Sequence, residues 1–181
     1  MKRNDYLIVA LGPLALLLVP VVGNLTVEGW QWTGEDFACA WLILAGATFA
    51  YRLLATRRQA SRPYRLAAGV AIGTGLLLTW ANLAVGVIGD ANPGNLLYFA
   101  IILLGLVGVA LSGFEPRHLA KLALAVAIAV FLVPVIALLA WPSDFSPGPL
   151  KVVTLNAVFS LLFAVAGFLF HLASRPDPAR R

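Results

Sequence analysis

Apolar residues run through this chain in long blocks, separated by short stretches where charges, prolines and glycines gather. Six blocks can be read, at residues 6–23, 37–55, 66–88, 96–114, 122–141 and 152–172. Each approaches the roughly 20 apolar residues needed to cross the hydrocarbon of a bilayer as a helix. Within them Arg52 alone is charged, and its long stem is expected to snorkel to the nearby interface. Backbone groups in lipid have no water to bond, so the blocks must be helices and not open strands. The expected fold is all-α, a polytopic transmembrane helical bundle of six helices forming one domain over residues 1–181.

Pro13 and Pro20 in the first block and Pro134 in the fifth each remove a helix hydrogen bond, and kinks are expected there. Prolines are common in membrane helices, so these do not by themselves signal gating.

The charges between the blocks give an orientation. Lys2 and Arg3 precede the first block; Arg52, Arg57, Arg58, Arg62 and Arg65 cluster about the second connection; Arg117 and Lys121 stand in the fourth; Arg175, Arg180 and Arg181 end the chain. Against these twelve, the opposite side has Lys151 alone. The arginine side is therefore expected to be cytoplasmic, with both termini inside. The outer stretches carry Glu28, Glu35, Asp36, Asp90 and Asp144, and Trp30, Trp32, Trp41, Trp80 and Trp141 all fall in the outward half. Indole rings favour that interface.

Residues 1–23 imitate a signal peptide, but the apolar run is long and Val-Val-Gly precedes Asn24 in place of a small-x-small cleavage site. A retained first helix is expected; cleavage would leave five spans and an outside N-terminus. Asn24-Leu25-Thr26 matches a glycosylation sequon, set against the membrane where it carries little meaning.

Composition agrees with the blocks and narrows the chemistry. The chain is 61% hydrophobic and 12% charged, with a mean hydropathy of +0.90, against roughly 45–50% and 25% in soluble domains. Cys39 is a lone cysteine and His118 and His171 are the only histidines, which excludes an intrachain disulfide and the usual zinc spacings. No metal or cofactor is expected. The net charge of +5 is explained by orientation at span ends and does not call for nucleic acid.

Small and polar residues form stripes on three blocks. The third carries Gly75, Thr79, Asn82, Gly86 and Gly89 at steps of three and four; the fourth has Tyr98, Gly105, Gly108 and Ser112; the sixth has Asn156, Ser160, Ala164, Gly167 and His171. Such stripes are expected to face protein, because small residues let helices approach and polar side chains bond across the contact. Gly69 and Gly73 add one GxxxG pair.

Asn82 lies six residues inside its block, about 9 Å beneath the outer interface at 1.5 Å per residue, and Asn156 enters from the same side to a comparable depth. With Asp90, Asn92, Asn95 and Tyr98 they are candidates to line an outward-facing polar pocket. The alternative is that these neutral amides are interhelical glue. Glu115, His118 and His171 are the other titratable residues of note, and their interfacial positions favour a solvated role over a proton relay.

Two outer tips echo one another, Asp90-Ala-Asn-Pro93-Gly94-Asn-Leu96 and Asp144-Phe-Ser-Pro147-Gly148-Pro-Leu150, offset by 54 residues. The same offset pairs Ala110 with Ala164, Gly113 with Gly167 and Phe114 with Phe168. Duplication of a two-helix unit is one reading; the recurrence of Asp, Pro and Gly in tight turns is the simpler one.

The stretch Trp80-Ala-Asn82-Leu-Ala-Val-Gly86-Val-Ile-Gly89-Asp90, followed by Asn92-Pro93-Gly94-Asn95-Leu96-Leu-Tyr98, resembles a group of small uncharacterised bacterial integral membrane proteins. They carry a W-x-N-L-A-V-G-x-I-G run before an N-P-x-N-L-x-Y turn. The resemblance covers about a tenth of the chain. It implies a bacterial inner-membrane setting and brings no known activity.

No serine–base pair, HExxH motif or phosphate-binding glycine loop is present in the sequence, so an enzyme is not expected. Acidic residues lie at block ends or between blocks, which argues against ordinary proton-coupled transport. Two readings remain: a membrane subunit or small-ligand binder, and a channel or facilitator for a small neutral solute. The expected partners are the lipid bilayer and a membrane protein, either a second copy of this chain or another subunit. The outer connections are too short to form a separate external domain.

Overall fold

The computed structural model describes residues 3–57, 60–89, 92–141 and 148–175. Six helices account for most of them, and no strand occurs among the described residues. They are α1 (Arg3–Thr26), α2 (Gly34–Ala55), α3 (Arg62–Val85), α4 (Asn95–Leu111), α5 (Pro116–Ala140) and α6 (Pro149–Ala173). Five are long and apolar enough to cross a membrane; α4, with 17 residues, is the short one. The all-helical, six-helix architecture expected from the apolar blocks is the one found. The chain divides into two compact units, Met1–Gln59 and Ala60–Arg181.

The first unit is the pair α1 and α2. Its rungs are the Trp41 indole Nε1, which donates to the Ala10 carbonyl at 3.1 Å, and an ion pair between Arg52 and Asp5. Partners that descend α1 as they climb α2 make an antiparallel hairpin. Arg52 therefore does more than snorkel: it meets Asp5, which is 6% exposed. Asp5 stands in the first turn of α1 and Arg52 in the last turn of α2, so each charge also suits its own helix dipole. The helix α1 runs on through Pro13 and Pro20, as α5 does through Pro134. A capping box starts α2, with Thr33 Oγ accepting from Asp36 N–H and the Asp36 carboxylate accepting from Thr33 N–H at 2.7 Å.

In the second unit the main contacts run from α3 to α6, α6 to α5, α5 to α4 and α4 to α3, closing a four-helix ring. The most extensive contact is between α5 and α6. The reason is visible in α5, where Ala120, Ala123, Ala127, Val130, Val133 and Ala137 are buried at steps of three and four. That spacing gathers them on one face of a helix. Leu78, Ile88, Tyr98, Val152, Phe159 and Phe163 complete the core around them. The opposite faces expose Leu103, Leu104, Leu139 and Leu161, an outer surface suited to hydrocarbon and costly in water.

The small-residue stripes of α4 and α6 do face protein. A Cβ placed on Gly108 would lie 2.6 Å from Leu122, and one on Gly105 would lie 3.6 Å from Val126. On α6, a Cβ at Gly167 would lie 3.1 Å from the Ala120 carbonyl oxygen and 3.0 Å from Leu124. Ser160 Oγ donates to the Ala127 carbonyl at 2.8 Å, bonding α6 to α5. The stripe on α6 ends before His171, which is exposed. Gly73, by contrast, has open space where a Cβ would go, so the GxxxG pair makes no close helix contact there.

Two apolar blocks run three residues past the ends of their helices. The third helix stops at Val85, where Gly86 takes φ +56°, although apolar residues continue to Ile88. The fourth stops at Leu111, ahead of Gly113 and Phe114, both with positive φ. Hydropathy marks what is buried or lipid-facing, and Val87 and Ile88 are buried in a turn.

Candidate functional site

Five of the six candidate pocket residues are described; Asp90 lies outside the described residues, as does most of the second echoing tip. The five sit around the junction of α3 with α4 and on α6, and their hydrogen bonds fall into two groups.

The first group locks the α3–α4 turn. Asn82, on the last turn of α3, donates from Nδ2 to the Asn95 carbonyl at 2.9 Å and accepts through Oδ1 from Val87 N–H at 3.3 Å. Asn95, the first residue of α4, accepts through Oδ1 from Ile88 N–H at 3.1 Å and donates from Nδ2 to the Gly89 carbonyl at 2.6 Å. Asn92 Oδ1 accepts from Gly94 N–H at 2.8 Å, the short-range bond that asparagine commonly makes in turns. The turn needs these partners because its backbone has left the helix while remaining covered: Val87 and Asn92 are each 3% exposed. Buried N–H and C=O groups without bonds are costly, and in a membrane they have no water to fall back on. Gly94 fits because a Cβ there would lie 2.9 Å from both Asn92 Oδ1 and Ile88 Cδ1, and 3.1 Å from Ala137 Cβ.

The second group lies in the core. Tyr98 donates its hydroxyl to Asn156 Oδ1 at 2.8 Å, joining α4 to α6, and Asn156 Nδ2 donates to the Val152 carbonyl one turn back at 2.8 Å. Tyr98 is 1% exposed and Asn156 0%. Both are surrounded by the apolar side chains of the core, so the hydroxyl and the amide have each other and little else.

Asn82, Asn95 and Asn156 thus each use both ends of the side-chain amide on groups of this chain. Glu115 and His118 stand apart from them, at the α4–α5 connection, with His118 Nδ1 3.6 Å from Glu115 and both side chains exposed. Among the described residues, no group of three or more His, Cys, Asp or Glu side chains could hold a metal ion.

No known protein family matches the chain, nor does any curated protein or solved structure.

Two roles were not drawn from the sequence. Asp5 was passed over, although an acid at the start of one apolar block and a single arginine at the end of the next are placed to meet in a hairpin. Asn24, noted only as part of a sequon, grips the backbone of Trp32 from both sides, donating from Nδ2 to its carbonyl at 3.2 Å and accepting its N–H at 2.9 Å.

Proposed function

We propose that this chain is a non-enzymatic subunit or small-ligand binder of a bacterial inner membrane, crossing it six times with both ends in the cytoplasm. The observation that carries this reading is the self-contained bonding of Asn82, Asn95 and Asn156. A path for a neutral solute needs polar groups turned toward the space it crosses. Here the deepest amides serve the chain's own turn and core, as interhelical bonds do in membrane bundles. The twelve-to-one distribution of Lys and Arg supports the orientation and also supports a crossing by α4. Without that crossing, Arg117 and Lys121 would fall on the side opposite Arg62 and Arg65. The resemblance of residues 80–98 to small bacterial membrane proteins is the ground for the inner-membrane setting.

The test is purification from the native membrane in mild detergent, followed by native mass spectrometry of the intact particle. A stoichiometric protein partner or a retained small molecule is the expected result. A bare monomer that conducts a neutral solute when reconstituted in vesicles would replace this reading with a facilitator.

A further inference from the structure

The loop between α1 and α2 is built with more care than a simple connection needs. Trp30 N–H donates to the Val27 carbonyl at 3.2 Å, closing a turn in which Gly29 takes φ +85°, the position type II turns reserve for glycine. Trp30 lies over Gly23, where a Cβ would come within 3.0 Å of the indole. Trp32 is clamped through its backbone by Asn24, and its ring meets Phe37 edge-on at 5.3 Å between centroids. The two indoles stand 6.2 Å apart at 50°, forming two walls of a corner. An open cavity of about 550 Å³ is lined by residues 27–32, and Glu28 is the charged residue on its lining.

The electrostatics have one sign. Glu28, Glu35 and Asp36 flank the corner, and no Lys or Arg occurs between Asn4 and Tyr51. Asp36 is occupied with Thr33, and Glu28 is the acid among the residues lining the cavity. Indole faces attract cations, most strongly those whose charge is spread over methyl groups, and a nearby carboxylate adds to the attraction. Interfacial tryptophans that only anchor a helix need neither a fixed mutual angle nor an adjacent acid.

We propose that the Trp30–Trp32 corner with Glu28 is a binding site for a substituted ammonium group, of the kind carried by zwitterionic choline headgroups of lipids and by free quaternary amines. The site lies wholly within the first unit. It names a ligand class for the small-ligand side of the reading above, rests on that reading for its place at the membrane surface, and stands whether or not a protein partner is found.

The experiment titrates the full chain, in uncharged maltoside micelles, with choline chloride and with its neutral carbon isostere 3,3-dimethylbutan-1-ol, following the indole signals of Trp30 and Trp32 by NMR. Choline is expected to shift both signals and to bind at least about fivefold more tightly than the isostere. Trp30→Leu and Glu28→Gln are each expected to weaken choline binding roughly fivefold, while Trp30→Phe keeps most of it. Circular dichroism establishes that each variant keeps its helices. Equal binding of choline and isostere, or unchanged binding by Glu28→Gln, overturns the proposal. Repeating the titration in nanodiscs of phosphatidylglycerol and of phosphatidylcholine separates the sources. Loss of choline binding only in phosphatidylcholine identifies a lipid headgroup as the occupant, and equal binding in both identifies a free solute.

Discussion

The side chain of Asn82 and the backbone of Asn95 are joined at 2.9 Å, so the last turn of one helix holds the first residue of the next. Asn95 returns the contact through Ile88 and Gly89, and the turn between the helices is bonded from both ends.

Asn82→Leu leaves the Asn95 carbonyl and the Val87 N–H without these partners. The expected cost is about 2–4 kcal/mol, since an orphaned buried group costs about 1–3 kcal/mol. Asn95→Leu strands the Ile88 N–H and Gly89 carbonyl and is expected to cost about the same, so these two asparagines should rank together. Thermal unfolding in detergent checks both; a wild-type midpoint for Asn82→Leu would remove its role in the turn.

Tyr98 and Asn156 allow a sharper test. Tyr98→Phe orphans Asn156 Oδ1 in the core and is expected to cost about 1–3 kcal/mol. The double variant Tyr98→Phe, Asn156→Leu removes both polar partners and should recover most of that loss. Recovery would mark the pair as packing chemistry. If instead the double variant loses the sum of the single losses, the two side chains act independently and the bond between them carries no coupling.

Gly167 and Gly73 are predicted to respond to alanine with opposite signs. At Gly167 the new methyl meets the Ala120 backbone and Leu124, and overpacking of about 1–3 kcal/mol is expected. At Gly73 it meets open space within a helix, where alanine gains up to about 1 kcal/mol over glycine. Unfolding midpoints of the two variants, measured side by side, decide it.

Asp5→Asn and Arg52→Gln each remove the charge of one member of a partly covered ion pair. Each is expected to lower the stability of the α1–α2 hairpin by about 1–2 kcal/mol, less than a fully buried pair would lose because Arg52 remains 29% exposed. The double variant should be less damaged than the sum. Protection of the first unit from limited proteolysis is the readout, and additive losses would show the two charges to be independent.

Number and type of helices were legible because lipid-length apolar blocks leave the backbone few choices. The stripes on α4 and α6 were legible for a similar reason, since Gly105, Gly108 and Gly167 make room for Val126, Leu122 and the Ala120 backbone. The end of α3 was not, because Val87 and Ile88 are as apolar inside a buried turn as they would be inside a helix. The stripes turned Asn82 and Asn156 toward protein, where both are buried, yet a stripe does not say what an amide bonds to. A backbone carbonyl 13 residues away or a tyrosine 58 residues away becomes visible only in three dimensions. Asn24 was hidden differently, because its clamp on Trp32 depends on how the loop folds back.

The brevity of α4 bears on the membrane as well as on the bundle. Its 17 residues rise about 26 Å, against about 30 Å of hydrocarbon in a typical bilayer. In the proposed sixfold crossing, Leu96, Leu103, Leu104 and Leu111 would offer neighbouring acyl chains a wall that stops short of one interface. Lipids beside α4 must compress or splay to meet it, at a cost of a fraction of a kcal/mol per ångström. That cost is smallest in thin bilayers, so a crossing by α4 would make the thickness of the host membrane a selector of where this chain resides.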